Sequence, residues 1–140
     1  MLVLDTNVLS ELMKPKADPA VREWIVSHGM DVMATTAICQ AQIEAGIAVL
    51  TDGRRKQALQ EASERLFLTG FLHEILAFDT SCVSHYADII ARRRRLGEPI
   101  EAPDAMIAAI ARNRDAAIVT RNIRDFEGCE ITLHDPWRTG

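Results

Sequence analysis

The sequence predicts an α/β fold with a mainly parallel sheet. Short apolar runs alternate with longer stretches of helical periodicity along the chain, the pattern of strand–helix units. Two of the runs end abruptly on polar residues, Asp5 and Thr120, as strands do when they leave a sheet at its edge.

The elements follow in chain order. Met1–Leu4 is a short apolar run that stops at Asp5 and reads as a buried strand. Asp18-Pro19 is a helix start, an N-cap followed by proline at the first helical position. Val21, Trp24 and Ile25 then fall at helical spacing on one apolar face. Asp31–Thr35 predicts a second strand. Thr35 or Thr36 can cap a helix running to about Leu50, where Asp52-Gly53 breaks the pattern. Ala58, Leu59, Ala62 and Leu66 mark another amphipathic helix. Ile75–Phe78 predicts a third strand, and Asp79-Thr80 caps a helix with Val83, Tyr86, Ala87 and Ile90 on its apolar face. Gly97 ends that helix. Pro103 opens the next, whose body Ala105–Ala111 is apolar on all sides and so predicts burial on several sides. Ala117–Thr120 and Glu130–Leu133 are the last two strands.

Length and composition fit one domain over residues 1–140. The chain has 140 residues, of which 48% are hydrophobic, enough for a real core. Its net charge of −4 excludes nucleic-acid binding through bulk positive charge. Any such contact needs a local basic patch or bound cations. Cys39, Cys82 and Cys129 are odd in number and widely spaced, with no CxxC pair, so neither a disulfide framework nor a zinc ribbon is expected. That usage points to the cytosol. The four histidines are never paired at i, i+4, which disfavours zinc. No apolar run is long enough to span a membrane.

In parallel α/β sheets, sites form beyond the carboxyl ends of the strands, which directs attention to Asp5 and Thr120. Asp5 either caps the following turn or stands over the sheet edge as a functional acid. Glu44 lies about two turns into the helix after Thr36, among Ile43, Ala45, Ile47 and Ala48. It is either on the wet side of that helix or faces a packed layer, where a carboxylate must be paired or bind a cation. Asp104 follows Pro103 in the first turn of the most apolar helix, complementing its dipole or facing the same edge. Asp125 comes shortly after the fourth strand, as a turn residue or a further acid. Acids that converge in this way repel one another unless protons or cations lie between them. Their oxygen-only chemistry suits Mg²⁺ or Mn²⁺.

Taken together, these residues resemble a known family. Leu2-Val3-Leu4-Asp5-Thr6-Asn7-Val8 is similar to the opening of PIN-domain proteins, and more narrowly to the VapC/FitB-type toxins of toxin–antitoxin pairs. Glu44-Ala45-Gly46-Ile47, Asp104 followed by Ala105-Met106-Ile107, Thr120-Arg121-Asn122 with Asp125-Phe126, and Asp135-Pro136-Trp137 extend the resemblance nearly end to end. It implies a three-layer α/β/α fold, Mg²⁺ or Mn²⁺ as cofactor, and endoribonuclease activity. It also implies a homodimer, and a cognate antitoxin that blocks the site and contacts DNA on behalf of the complex. On this resemblance Asp5, Glu44 and Asp104 are the metal ligands, and Asp125 joins them in catalysis. Thr6, Asn7, Thr120, Arg121 and Asn122 are the substrate-binding rim. One departure stands out: many PIN domains carry an acid two residues after the strand-end threonine, and here that residue is Asn122.

Arg92–Arg95 is the strongest local basic patch for RNA or for an acidic antitoxin segment, with Arg112, Arg114, Arg121 and Arg124 available to extend it. Two rival enzyme classes fit less well. A dehalogenase-type phosphotransferase needs a second aspartate where Asn7 stands, and no glycine-rich nucleotide loop follows the first strand. A catalytically weak interaction module on the same fold, acting through its antitoxin and DNA, is the alternative the Asn122 departure keeps open.

Overall fold

The computed structural model describes residues 1–138. In chain order its elements are β1 (Leu2–Leu4), α1 (Thr6–Leu12), α2 (Pro19–Ser27), β2 (Met33–Thr36), α3 (Ala37–Ala48), α4 (Arg54–Leu68) and β3 (Glu74–Leu76). A 3₁₀ turn (Thr80–Cys82) leads into α5 (Val83–Arg95), followed by α6 (Ala102–Asn113), β4 (Ala117–Val119), α7 (Ile123–Phe126) and β5 (Leu133–His134). The strands form one five-stranded sheet in the order β3-β2-β1-β4-β5, and every neighbouring pair is parallel. Helices flank the sheet, as the alternation of elements predicts.

β1 is central, and Leu2, Val3 and Leu4 are all buried. A strand covered on both faces shows an unbroken apolar run, which is why Met1–Leu4 is legible in the sequence. Its register against β4 pairs Leu2 with Ala117, Val3 with Ile118 and Leu4 with Val119. The buried Thr35 hydroxyl donates to the Leu4 carbonyl at 2.7 Å, tying β2 to the point where β1 ends. α6 supplies much of the core through Ala105 and Ile107–Ala111, all buried, in agreement with its apolar composition.

The local signals map onto the helix starts. Asp18 caps α2 by accepting from the Ala20 N–H at 2.9 Å. Of the two threonines, Thr36 caps α3, accepting from the Cys39 N–H at 3.1 Å. Gly97 takes φ 73°, a left-handed conformation that stops α5 at little cost for glycine. The stretch after Asp5 is a helix, α1, rather than a simple turn; Asp5 is its N-cap.

The flanking strands differ from expectation. β2 and β3 are Met33–Thr36 and Glu74–Leu76, and β5 is Leu133–His134 instead of Glu130–Leu133. β3 and β5 are edge strands with one side open, so Glu74 and Ile75 are exposed and both residues of β5 are half-buried. Hydrophobicity does not mark their ends. α3 also differs. Only Cys39, Ile43 and Ile47 are buried on it, while Ala37, Ala41, Ala45 and Ala48 are exposed. The small residues therefore line its solvent side, and α3 has more wet surface than its composition suggests.

Candidate active site

Asp5 sits where β1 becomes α1, and it is only 5% exposed. Its backbone N–H still belongs to the sheet, donating to the Val119 carbonyl at 2.9 Å. One carboxylate oxygen accepts from the Thr6 N–H at 2.8 Å as the helix cap. The other accepts from the Thr120 hydroxyl at 2.8 Å and from the Asn7 side-chain amide at 3.3 Å. Asp5 thus serves as a cap and as a site carboxylate at once. Burial raises its pKa, while the bonds from Thr120, Thr6 and the Cys39 thiol pull the other way and the charge of Asp125 adds to the rise.

Asp104 lies in the first turn of α6, half-buried. Its pKa is pushed up to about 6, first by burial, then by the charges of Asp125, Asp5 and Glu101, with Arg93 opposing. The structure therefore brings together Asp5, Asp104 and Asp125, drawn from β1, α6 and α7. Asp125 is exposed on α7, while its neighbour Phe126 is 1% exposed and anchors that short helix in the core.

Glu44 does not join them. It is exposed on α3 and lines a groove with Gln60, Ser63 and Glu64 of α4. On α3 the Cys39 thiol donates to Asp5 itself, and the amide beside that corner is Gln42, whose side-chain oxygen accepts from the Thr6 hydroxyl. Positions two apart on a helix point about 200° away from each other, so Gln42 and Glu44 cannot share a face. As an amide, Gln42 carries no charge to mark it in the sequence. The helical stripe Cys39, Ile43, Ile47 would have found it, because Gln42 flanks that buried stripe.

The rim residues Thr6, Asn7, Thr120, Arg121 and Asn122 surround Asp5. Asn7 also reaches the Thr120 hydroxyl at 3.3 Å and accepts from the Arg121 N–H at 3.1 Å. The Asn122 N–H donates to the Thr120 hydroxyl at 3.0 Å. The Arg92–Arg95 patch is smaller than its sequence. Arg93 is buried, and Arg92 is paired with Asp88 and Glu130 at 2.7 and 3.0 Å. Arg112 and Arg114 are held by Asp88 and Glu74.

Two carboxylates whose pKa values are raised by burial and by the charge of neighbouring carboxylates form an anionic corner that a cation stabilises. The donors are oxygens only, and Mg²⁺ takes one or two carboxylates and keeps the rest of its shell as water. Asp5 and Asp104 fit that demand. Among the described residues no three His, Cys, Asp or Glu side chains converge as a ready metal cage, so a larger all-acid ligand set does not.

This is an α/β protein with a carboxylate site at the carboxyl edge of a parallel sheet. The PIN domain family model matches residues 2–128, and the chain belongs to that family. It is 33% identical over 137 residues to the toxin FitB of Neisseria gonorrhoeae, covering 98% of this chain and 99% of that protein. It is 34% identical over 137 residues to the VapC ribonuclease Y4jK of Sinorhizobium fredii, covering 98% of each. The fold superposes with a TM-score of 0.86 and 28% identity on a structure of FitAB bound to an IR36 DNA fragment, covering 100% of this chain and 98% of the other. The expected resemblance to PIN-domain toxins and the expected fold class are thereby met.

Proposed function

We propose that the protein is the toxin of a type II toxin–antitoxin pair and an endoribonuclease that hydrolyses RNA phosphodiester bonds with Mg²⁺, or Mn²⁺ in its place. The observation that carries this is that Asp5, Asp104 and Asp125 lie near enough for charge to act between them, with burial raising the pKa of Asp5 and Asp104, the charge of Asp125 adding to both and that of Asp5 adding to Asp104. The names of the similar proteins, a toxin and a VapC ribonuclease, point the same way.

Asp5 and Asp104 would hold the ion. When bound, Mg²⁺ neutralises developing charge on a phosphate and lowers the pKa of a water. The chain's own residues do the rest. Thr120 and the Thr6 N–H fix the rotamer of Asp5, so both its oxygens keep one orientation. Asp125, exposed on α7, would accept a proton from the attacking water. Gln42 and Asn122 contribute neutral oxygens and keep the charge of the corner low. Thr6, Asn7, Thr120, Asn122 and Arg121 form the rim that the RNA strand meets.

The reading extends to a partner: a cognate antitoxin covers the site and carries DNA contact for the complex, in keeping with a similar structure of FitAB bound to a DNA fragment. We further read the chain as one domain that forms a homodimer in the cytosol, where its three unpaired, buried cysteines stay as thiols. No helix among the described residues is long and apolar enough to cross a membrane.

The test is incubation with total cellular RNA in Mg²⁺, Mn²⁺ or EDTA, with the cut ends mapped. Cleavage in the metals, loss in EDTA and loss in Asp5→Asn are expected; equal cleavage in EDTA overturns the reading. A catalytically weak module acting only through antitoxin and DNA is the second reading, favoured by the amides at positions 42 and 122. Calorimetry decides between them, because that module need not bind Mg²⁺.

A further inference from the structure

An acidic corner on a chain of net charge −4 repels the RNA backbone it has to bind, so a cation must meet the strand close to Asp5. Four of the eight arginines of the expected patch are engaged elsewhere. Arg93 is buried, and Arg92, Arg112 and Arg114 have carboxylate partners. Arg94, Arg95, Arg121 and Arg124 are exposed and make no ion pair among the described residues, and of these Arg121 is the one that follows Thr120 directly.

Its position is fixed at two points. The backbone N–H donates to the Asn7 side-chain oxygen, and the Asn7 amide in turn donates to Asp5. The guanidinium lies over the Trp137 ring, 4.9 Å from the centroid. Trp137 is itself anchored, its N–H donating to the Asp135 carboxylate at 2.9 Å. The strand before it is held to the site because the His134 carbonyl accepts from the Thr120 N–H at 2.9 Å. A stacked guanidinium has already given up most of its rotamer freedom, so a phosphate that pairs with it loses less on binding.

We infer that Arg121, carried on the face of Trp137, is the phosphate clamp for the RNA strand at the mouth of the carboxylate site. This rests on the RNA reading above. The guanidinium pairs with a backbone phosphate beside the one that Asp5 and Asp104 serve. Trp137 acts as a positioning residue, holding the guanidinium plane toward the strand. Arg121 binds through charge and geometry without reading a base, so the clamp adds affinity and register but no sequence preference.

The experiment measures binding of a labelled single-stranded oligoribonucleotide in EDTA, by anisotropy over a series of NaCl concentrations, and steady-state cleavage in Mg²⁺. Arg121→Ala weakens binding roughly tenfold, lowers the slope of log K against log salt by about 0.7, and raises KM with kcat kept. Arg121→Lys restores the slope with part of the affinity. Trp137→Phe behaves as the wild type, and Trp137→Ala loses affinity several-fold with the slope unchanged. If Arg121→Ala keeps affinity and slope while the wild type cuts RNA, the clamp is overturned and the ribonuclease reading stands. If the wild type neither binds nor cuts RNA, both fall. A merely structural pair would lower the melting temperature in Arg121→Ala and leave the salt slope alone, which also overturns the clamp.

Discussion

Arg93 donates from its guanidinium to the backbone carbonyl of Asp125 at 2.6 Å, joining α5 to the short helix that presents the third acid. The same side chain donates to the Glu98 carbonyl at 2.7 Å and is only 5% exposed. Arg93→Met leaves both carbonyls without their donor. About 1–3 kcal/mol of stability should be lost, read by chemical denaturation, together with a lower kcat as Asp125 loosens. Unchanged stability and kcat would show that Arg93 holds nothing in place.

Asp5→Asn and Glu44→Gln should separate cleanly. The first removes a buried carboxylate that already resists ionisation, so the fold survives while RNA cleavage disappears. The second alters an exposed residue on the groove toward α4 and should leave kcat and KM unchanged. A kinetic comparison of the two variants checks the placement, and a large loss in Glu44→Gln would contradict it.

Gln42→Glu adds a carboxylate where the Thr6 hydroxyl now meets an amide oxygen. In EDTA the extra repulsion lowers the melting temperature. In Mg²⁺ the added charge tightens binding by about tenfold, equivalent to about 1.4 kcal/mol. Titration calorimetry of both forms gives the sign directly.

Asp104, with its pKa near 6, makes stability depend on pH in an unusual direction. The folded protein holds this proton more tightly than the unfolded chain does. Its contribution is therefore complete below the ordinary aspartate range and is lost as pH rises through about 6. Metal-free protein should melt lower at pH 7 than at pH 5 on account of this group. Mg²⁺ should reverse that trend, since it binds the ionised form, and cleavage should rise across the same interval. Asp104→Asn should flatten the melting profile.

The centre of the fold was legible because β1 and β4 are covered on both faces, so burial is written as uninterrupted Val, Leu and Ile. The edges were less so. β3 and β5 mix exposed and buried positions, and their ends follow hydrogen bonding instead of hydrophobicity. Asp5 and Asp104 could be found from where they stand, one at a strand end and one in the first turn of a buried helix. Glu44 is the charged residue of a helix whose composition suggests little polar side, and the structure shows that side to be alanine-lined and wet. Gln42 carries no charge and gives no comparable signal. Both Gln42 and Glu44 are exposed, and which of them lies beside Thr6 follows from the stripe of Cys39, Ile43 and Ile47 that Gln42 flanks.

Thr120 and Asp5 lie 115 positions apart, yet one hydroxyl orients the other's carboxylate. β1 also needs β4 beside it before its second edge is paired. A chain emerging from the ribosome therefore exposes its first acid long before the residue that aligns it has been translated. The corner assembles only after β4 and Thr120 have been made, so a shorter nascent chain carries no aligned carboxylate site beside the RNA that encodes it.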